Sequence, residues 1–372
     1  MAKHAQQPAG VNPDGDTQLI PAQEIAERVE APLTNGPVHP DAQVQVDAQM
    51  QDQGDPYGPG KKGSWRDNFI IASIVSVVII MLGQLLGSIL MKPVGTLNGL
   101  TSNQFDSVTT PGTVDFSTLP YPELLSIAVY AMFIGIWIIL FIYMAITKRN
   151  RVLLKNFKPG YGGNTLKNFF IGLGIGFAMN GLCAVVSIAL GDITVTLKPL
   201  SLSLIGYLIL GFVAVMIQSG AEEITDRGFI YMKVRRKYKS PLVAIITSAC
   251  VFAALHLMNP GVTVSSVIDI LASGFLFALM VYYWDSIWAA IACHTAWNFT
   301  QNMIFGLPNS GLVMPLSLFQ LGDGATDGIA YTTSFGIEGS ILAIVVQVVV
   351  IALVVVVGER KKRHQQAQSF NF

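Results

Sequence analysis

Charged side chains are scarce in this chain: Asp, Glu, Lys and Arg make up 12% of its 372 residues, about half the roughly 25% usual in soluble domains. With 52% of the residues hydrophobic, that scarcity excludes an ordinary water-soluble fold. A net charge is lacking too, since 23 basic residues balance 23 acidic ones. The chain therefore carries no electrostatic footprint for nucleic acid, and no nucleic-acid partner is expected. Cysteine is nearly absent. Cys183, Cys250 and Cys293 lie in apolar runs, are odd in number and have no metal-ligand spacing, which excludes a disulfide framework. They read as small buried hydrophobes. Cys293 adjoins His294, yet a thiol in an apolar setting is a poor nucleophile, and adjacent helical residues point about 100° apart.

The first 60 residues lack any long apolar run, so no signal-peptide core is expected near the start. Residues 1–64 are rich in Ala, Gln, Asp, Pro and Gly, and their acids, from Asp14 to Asp55, are set against Lys3 and Arg28. Such a segment cannot bury enough apolar surface to offset its ordering entropy, and a disordered acidic tail is expected. A short amphipathic helix over Ile20–Val29 is a weaker feature of it.

What the rest of the chain has in abundance is long apolar runs, eight of them long enough to span a bilayer at about 20 residues each. They are Phe69–Met91, Leu124–Ile146, Phe169–Leu190, a run from Leu204 into a Glu-Glu stretch, Leu242–Met258, Val264–Tyr283, Ile287–Phe305 and Ile341–Val357. The expectation is an all-α polytopic membrane protein of about eight transmembrane helices over residues 65–358, between the acidic tail and a basic tail at 359–372. Gly172, Gly174, Gly176 and Gly181 suit the third run to close helix contact. The fifth is entered through Ser240 as N-cap and Pro241 at the first helical position, and is stopped by Asn259-Pro260-Gly261.

Basic residues collect at Lys61, Lys62 and Arg66, at Lys148–Lys167, at Lys233–Lys239 and at Arg360–Arg363. The loops 92–121, 191–203 and 307–337 hold only Lys92 and Lys198. Eight spans put every basic cluster on one side, so the positive-inside rule predicts that both termini are cytoplasmic. The turn Trp284-Asp285-Ser286 falls on that side without a basic residue of its own. An uncleaved anchor and an acidic tail fit a bacterial plasma membrane.

The polar exceptions to this apolar plan carry the chemistry. Gln218-Ser219-Gly220-Ala221-Glu222-Glu223-Ile224-Thr225-Asp226-Arg227 ends the fourth run, and ionisable residues at membrane depth point to function. Glu222 and Glu223 are neighbours and face different ways. Arg227 is i+4 from Glu223, the favourable order for an ion pair, which leaves Glu222 to face the bundle as a general base. His256 could share a water with it. His294 and Asn298 are i, i+4 on one helix face and suit oxyanion donors, commonly worth ~3 kcal/mol each. If the fourth helix continues through Lys237, Glu222 and His256 both lie roughly 22–24 Å from the turn that follows, and His294 and Asn298 about 14–20 Å past Asp285. Base, water and oxyanion donors make amide hydrolysis the simplest reaction class. Each motif alone has a plainer reading: a surface salt-bridge face, a core histidine bonding a carbonyl, a chance His-x-x-x-Asn pair. Asp269, with Ser265, Ser266 and Ser273, reads as a candidate lumen lining.

Glu222-Glu223-x-x-x-Arg227, then Phe252-x-x-x-His256, then His294-x-x-x-Asn298, in that order over about Leu204–Asn302, resembles the motif set of the CPBP (ABI) family. These are CAAX-processing and bacteriocin-processing intramembrane proteases, type II CAAX prenyl endopeptidases among them. The resemblance implies a multi-helix membrane peptidase whose core, here about 204–302, opens to the cytoplasm and the membrane. It implies that Glu222 and His256 activate water, that His294 and Asn298 bind the oxyanion, and that Glu223 and Arg227 support the site. Phe252 would pack against the helix of His256. Both a zinc and a metal-free mechanism are proposed for such enzymes. His-Glu-x-x-His is missing here, and a glutamate-activated water without metal is expected; a zinc, if bound, would take Glu222, His256 and His294. The implied partners are membrane lipids and a peptide or lipidated protein substrate; oligomeric state is left open. Two other functions would use the same residues. A transporter would be favoured by broken helices repeated in two halves, and no such repeat is seen. A non-catalytic scaffold or immunity protein would keep its role without Glu222.

Overall fold

The structure, a computed structural model, describes residues 64–110 and 113–369, with side chains as far as residue 364. The acidic tail up to residue 63, its Ile20–Val29 helix, and Lys61 and Lys62 lie outside the described residues.

Each apolar run becomes a helix, and polar residues at the run boundaries set where most of them start. Asn68 opens α1 (Phe69–Leu97) by accepting from the Ile70 amide. Pro122 at the first turn opens α2 (Pro122–Ala131), which passes through a break at 132–133 into α3 (Ile134–Ile146). Thr165 caps α4 (Leu166–Leu190), and Ser201 caps α5 (Leu202–Thr225). A π-helical segment, Asp226–Tyr231, then joins α5 to α6 (Met232–Lys237). The continuous helix expected through Lys237 is therefore present, with a widened turn inside it. α7 (Pro241–Leu255) starts at Pro241, but the Ser240 hydroxyl makes no capping bond. Thr263 and Ser266 form a capping box on α8 (Val264–Trp284), and Ser286 caps α9 (Ile287–Asn298), which runs into a second π-helical segment, Phe299–Ile304. α10 (Ile341–Ser369) carries the last run well past Val357.

Among the described residues six helices are long and apolar enough to cross a membrane: Phe69–Leu97, Pro122–Ile146, Leu166–Leu190, Leu202–Lys237, Val264–Trp284 and Ile341–His364. The other two runs differ for local reasons. α7 stops at Leu255, short of the expected Met258, because Asn259-Pro260-Gly261 turns the chain. α9 changes to π geometry after Asn298.

Packing has the polarity expected in lipid. On α1, large side chains such as Ile70, Ile74, Met81 and Leu85 are exposed, while Ala72, Ser76, Gly83 and Gly87 are buried. Small residues let backbones approach without a hydrophobic drive between helices. The contact of α4 with α9 uses this directly: a Cβ built on Gly172 or Gly176 would overlap the carbonyl oxygens of Ala289 and Cys293. Gly174 and Gly181 face open space. The i, i+4 glycine pair thus seats α9, the helix of His294 and Asn298.

Members of two of the basic clusters meet at one end of the bundle. Buried Asp67, just before α1, meets Arg149 after α3, Lys233 on α6 and Arg236 on α6 at 2.5, 3.5 and 3.2 Å. The turn at Asp285 joins that end through Gly163, whose amide donates to the Asp285 carbonyl at 2.8 Å. The poorly charged loops meet elsewhere, where β1 (Val195–Leu197) pairs antiparallel with β2 (Phe319–Leu321), Thr196 opposite Gln320.

Candidate active site

The last turn of α5 carries Glu222 and Glu223 in opposite roles. Glu223 is fully buried, and its Oε1 accepts from Arg227 Nη1 at 3.0 Å, the i, i+4 pair the spacing predicts. Arg227 Nη2 donates to the Gly274 carbonyl of α8 at 2.9 Å. The guanidinium also lies over the rings of Phe252 and Phe277, at 4.7 and 5.3 Å, so one cation ties α5, α7 and α8 together.

Glu223 also fixes His294. The same Oε1 accepts from His294 Nδ1 at 3.0 Å. The ring stacks on Phe277 at 4.9 Å and meets the Phe252 ring edge-on at 5.8 Å. With Nδ1–H given to Glu223, Nε2 accepts in the neutral ring and donates only when the ring carries both protons. It stands 3.7 Å from Glu222 Oε2, beyond a direct hydrogen bond and within reach of one bridging water.

Glu222 is held from its other side. Its Oε1 accepts from Gln218 Nε2 at 2.5 Å, whereas Oε2 is buried with no hydrogen-bond partner. An ionised carboxylate only accepts. The Gln218 amide nitrogen must then face Glu222, which turns Gln218 Oε1 toward Asn298. Asn298 Nδ2 donates to it at 3.0 Å and to Ser219 Oγ at 3.3 Å. The Asn298 amide that the resemblance assigns to an oxyanion is therefore already engaged within the protein, whereas His294 Nε2 is not.

His256 does not lie inside the fifth helix as the run length suggested; it is the residue that caps the C-terminus of α7. Its Nδ1 donates to the Phe252 carbonyl at 2.8 Å, which leaves the Nε2 lone pair available. That bond is also the one expected of a core histidine. What separates the two readings is location: His256 is half-buried and lines a partly open cavity of about 450 Å³ together with Glu222, His294 and Asn298. Four polar residues from three helical runs thus reach one space, as the depth argument required. Glu223 and Arg227 stand behind it, and Phe252 lines it with its ring 4.7 Å from that of His256.

Asp269 and Cys293 stand outside this space. Asp269 is buried against Gln347, which donates to it at 2.9 Å, and is not among the cavity residues. Ser273 donates to the same Gln347 at 3.0 Å, so this is a polar tie between α8 and α10. Cys293 is buried and is not among the residues that line the cavity. For a metal, no three of His, Cys, Asp and Glu are grouped to hold an ion among the described residues. The Glu222, His256 and His294 ligand set is not assembled, and we derive no step through a metal.

Gln218 and Asp226 stand in the polar stretch quoted from the sequence but had no role assigned there, and Phe277 was not singled out. Gln218 was legible as the i−4 partner of Glu222. Phe277 looked like any aromatic residue on an apolar helix. Asp226 was hidden by the stronger Glu-Glu-x-x-x-Arg pattern around it.

A bundle of membrane-length apolar helices closed around a cavity with a carboxylate, histidines and carboxamides defines a class, the integral helical membrane protein with a polar internal site. Residues 204–300, which hold every one of these side chains from Glu222 to Asn298, match the family model described as type II CAAX prenyl endopeptidase Rce1-like. Over that stretch the chain is consistent with a CPBP-family protease, and the match supports CAAX-type intramembrane protease activity in general terms. No curated protein and no solved structure matches the chain.

Proposed function

We propose that the protein is an intramembrane endopeptidase that hydrolyses a peptide bond in membrane-associated or lipidated peptides. The observation that carries this reading is the meeting of Glu222 Oε2, unpartnered, with His294 Nε2 across 3.7 Å in the cavity wall. Glu222 Oε2 takes a proton from a water, while the Nε2 lone pair of His256 orients that water through its second hydrogen. The water oxygen bonds to the peptide carbonyl carbon. The resulting oxyanion is met by Nε2–H of His294 when that ring carries both protons, its charge balanced by Glu223. The C–N bond then breaks, and the proton on Glu222 passes to the leaving amine nitrogen. Asn298 acts first through Gln218, setting the direction of Glu222, and reaches the oxyanion only by releasing Gln218.

By the positive-inside rule, the end where Arg149, Lys233 and Arg236 meet Asp67 faces the cytoplasm, with both termini on that side, in a bacterial plasma membrane. The test uses the full-length protein in proteoliposomes with quenched-fluorescent peptides that carry or lack a prenyl or acyl chain. The wild type cleaves members of the set, and Glu222→Gln, folded as judged by an unchanged melting temperature, loses about 100-fold or more in rate. Equal rates in the two proteins contradict the reading.

A further inference from the structure

Asp226 is fully buried, and neither of its carboxylate oxygens has a hydrogen-bond partner. It stands in the wall of the same cavity as Glu222, one turn further along and at the first residue of the π-helical segment. A buried carboxylate left unpaired is costly and persists where something else justifies it. The nearest cation in sequence does not answer it, because Arg227 gives Nη1 to Glu223 and Nη2 to the Gly274 carbonyl. The residues lining the cavity include Glu222 and Asp226 and, among those described, no Lys or Arg. The remaining polar lining is amide, hydroxyl and imidazole, as in Asn298, Asn309, Thr225 and His256, and the other imidazole, His294, already has Glu223 as its acid partner.

A space of about 450 Å³ falls in the range of roughly 300–1,000 Å³ that holds small ligands, and it is walled by two acids with no lysine or arginine among its described lining residues. A group carrying an ammonium or guanidinium would supply the charge-assisted hydrogen bonds that Asp226 lacks. A carboxylate on the substrate would meet like charge there. Residues i and i+4 share a helix face, so a cation at Asp226 sits beside the bond presented to Glu222.

We propose, on the protease reading above, that Asp226 is a specificity-determining residue that receives a Lys or Arg side chain of the peptide next to the scissile bond. The test is a matched set of peptides with Lys, Arg, Gln, Leu or Glu at each position around the cleaved bond, given to full-length protein in proteoliposomes. The wild type favours Lys or Arg over Gln by about tenfold or more in kcat/KM. In Asp226→Asn that ratio collapses, and in Asp226→Glu it is kept. A wild type without the preference, or an Asp226→Asn protein that retains it, overturns the proposal. A readout free of catalysis accompanies it: n-hexylguanidinium, with n-hexanol as control, raises the melting temperature of the wild type and not of Asp226→Asn. Equal shifts in both proteins also overturn it. If the wild type cleaves no peptide while hexylguanidinium still separates the two proteins, the protease reading fails and the cation site stands.

Discussion

Glu222 and His294 come from helices 72 positions apart in the chain (294 − 222), yet Glu222 Oε2 and His294 Nε2 stand 3.7 Å apart. Two neighbours enforce the approach. Glu223 holds the far nitrogen of the ring, and Gln218 holds the other oxygen of Glu222. The pair is thus aimed from behind on both sides.

The adjacent glutamates respond differently to the same substitution. Glu222→Gln keeps its bond to Gln218 through rotation of one amide and leaves stability near that of the wild type, while cleavage is lost. Glu223→Gln leaves Arg227 without its charged partner in a buried site, a change that costs about 3–5 kcal/mol. Thermal unfolding in detergent separates them: a large drop in melting temperature for Glu223→Gln and little for Glu222→Gln. A reversed order contradicts the division of roles between the two carboxylates.

Gln218 links Asn298 to Glu222. Gln218→Ala frees the carboxylate to turn, so kcat falls by about tenfold or more while KM holds. A rise in KM with unchanged kcat would assign Gln218 to substrate binding instead.

Glu338, outside the spans, is buried and joins α9 to the loop over the cavity: its oxygens accept from Trp297 Nε1 at 3.2 Å and from the Ser310 amide at 2.5 Å. Burial lifts its carboxyl above the ordinary 4.5, against the pull of those hydrogen bonds. A raised folded value means the contribution to stability is fully present below 4.5 and is lost as pH rises through that raised value. Melting temperature measured from about pH 4 to about pH 8 therefore falls more in the wild type than in Glu338→Gln. Parallel curves refute this.

Asp226 pays for its place in the cavity with stability. Asp226→Asn replaces a buried carboxyl that has no hydrogen-bond partner with a neutral amide of the same shape, and its melting temperature equals or exceeds that of the wild type. A marked loss shows that the carboxylate supports the fold.

Much of the fold was readable from residue order. Apolar runs became helices because a helix satisfies every backbone group within one segment in lipid, and Arg149, Lys233 and Arg236, from two of the basic clusters, converge on Asp67. The i, i+4 logic found the Glu223–Arg227 pair. Applied to the glycines, it separates Gly172 and Gly176 from Gly174 and Gly181, which glycine content alone does not. Three features were not readable in this way. His256 moved from helix interior to helix end because Asn259-Pro260-Gly261 acts earlier than run length suggests. The π-helical segments after the Glu pair and after Asn298 leave no periodicity to read. The engagement of Asn298 by Gln218 joins residues 80 positions apart.

The central claim is that Glu222 drives peptide hydrolysis in the membrane. The most direct measurement compares protein termini in membranes from cells that carry the wild type or Glu222→Ala at matched expression. Peptide ends that arise only with the wild type are the predicted result, and they name the substrate. Identical termini, with a deletion phenotype rescued equally by both forms, contradict the claim and leave a non-catalytic scaffold in its place.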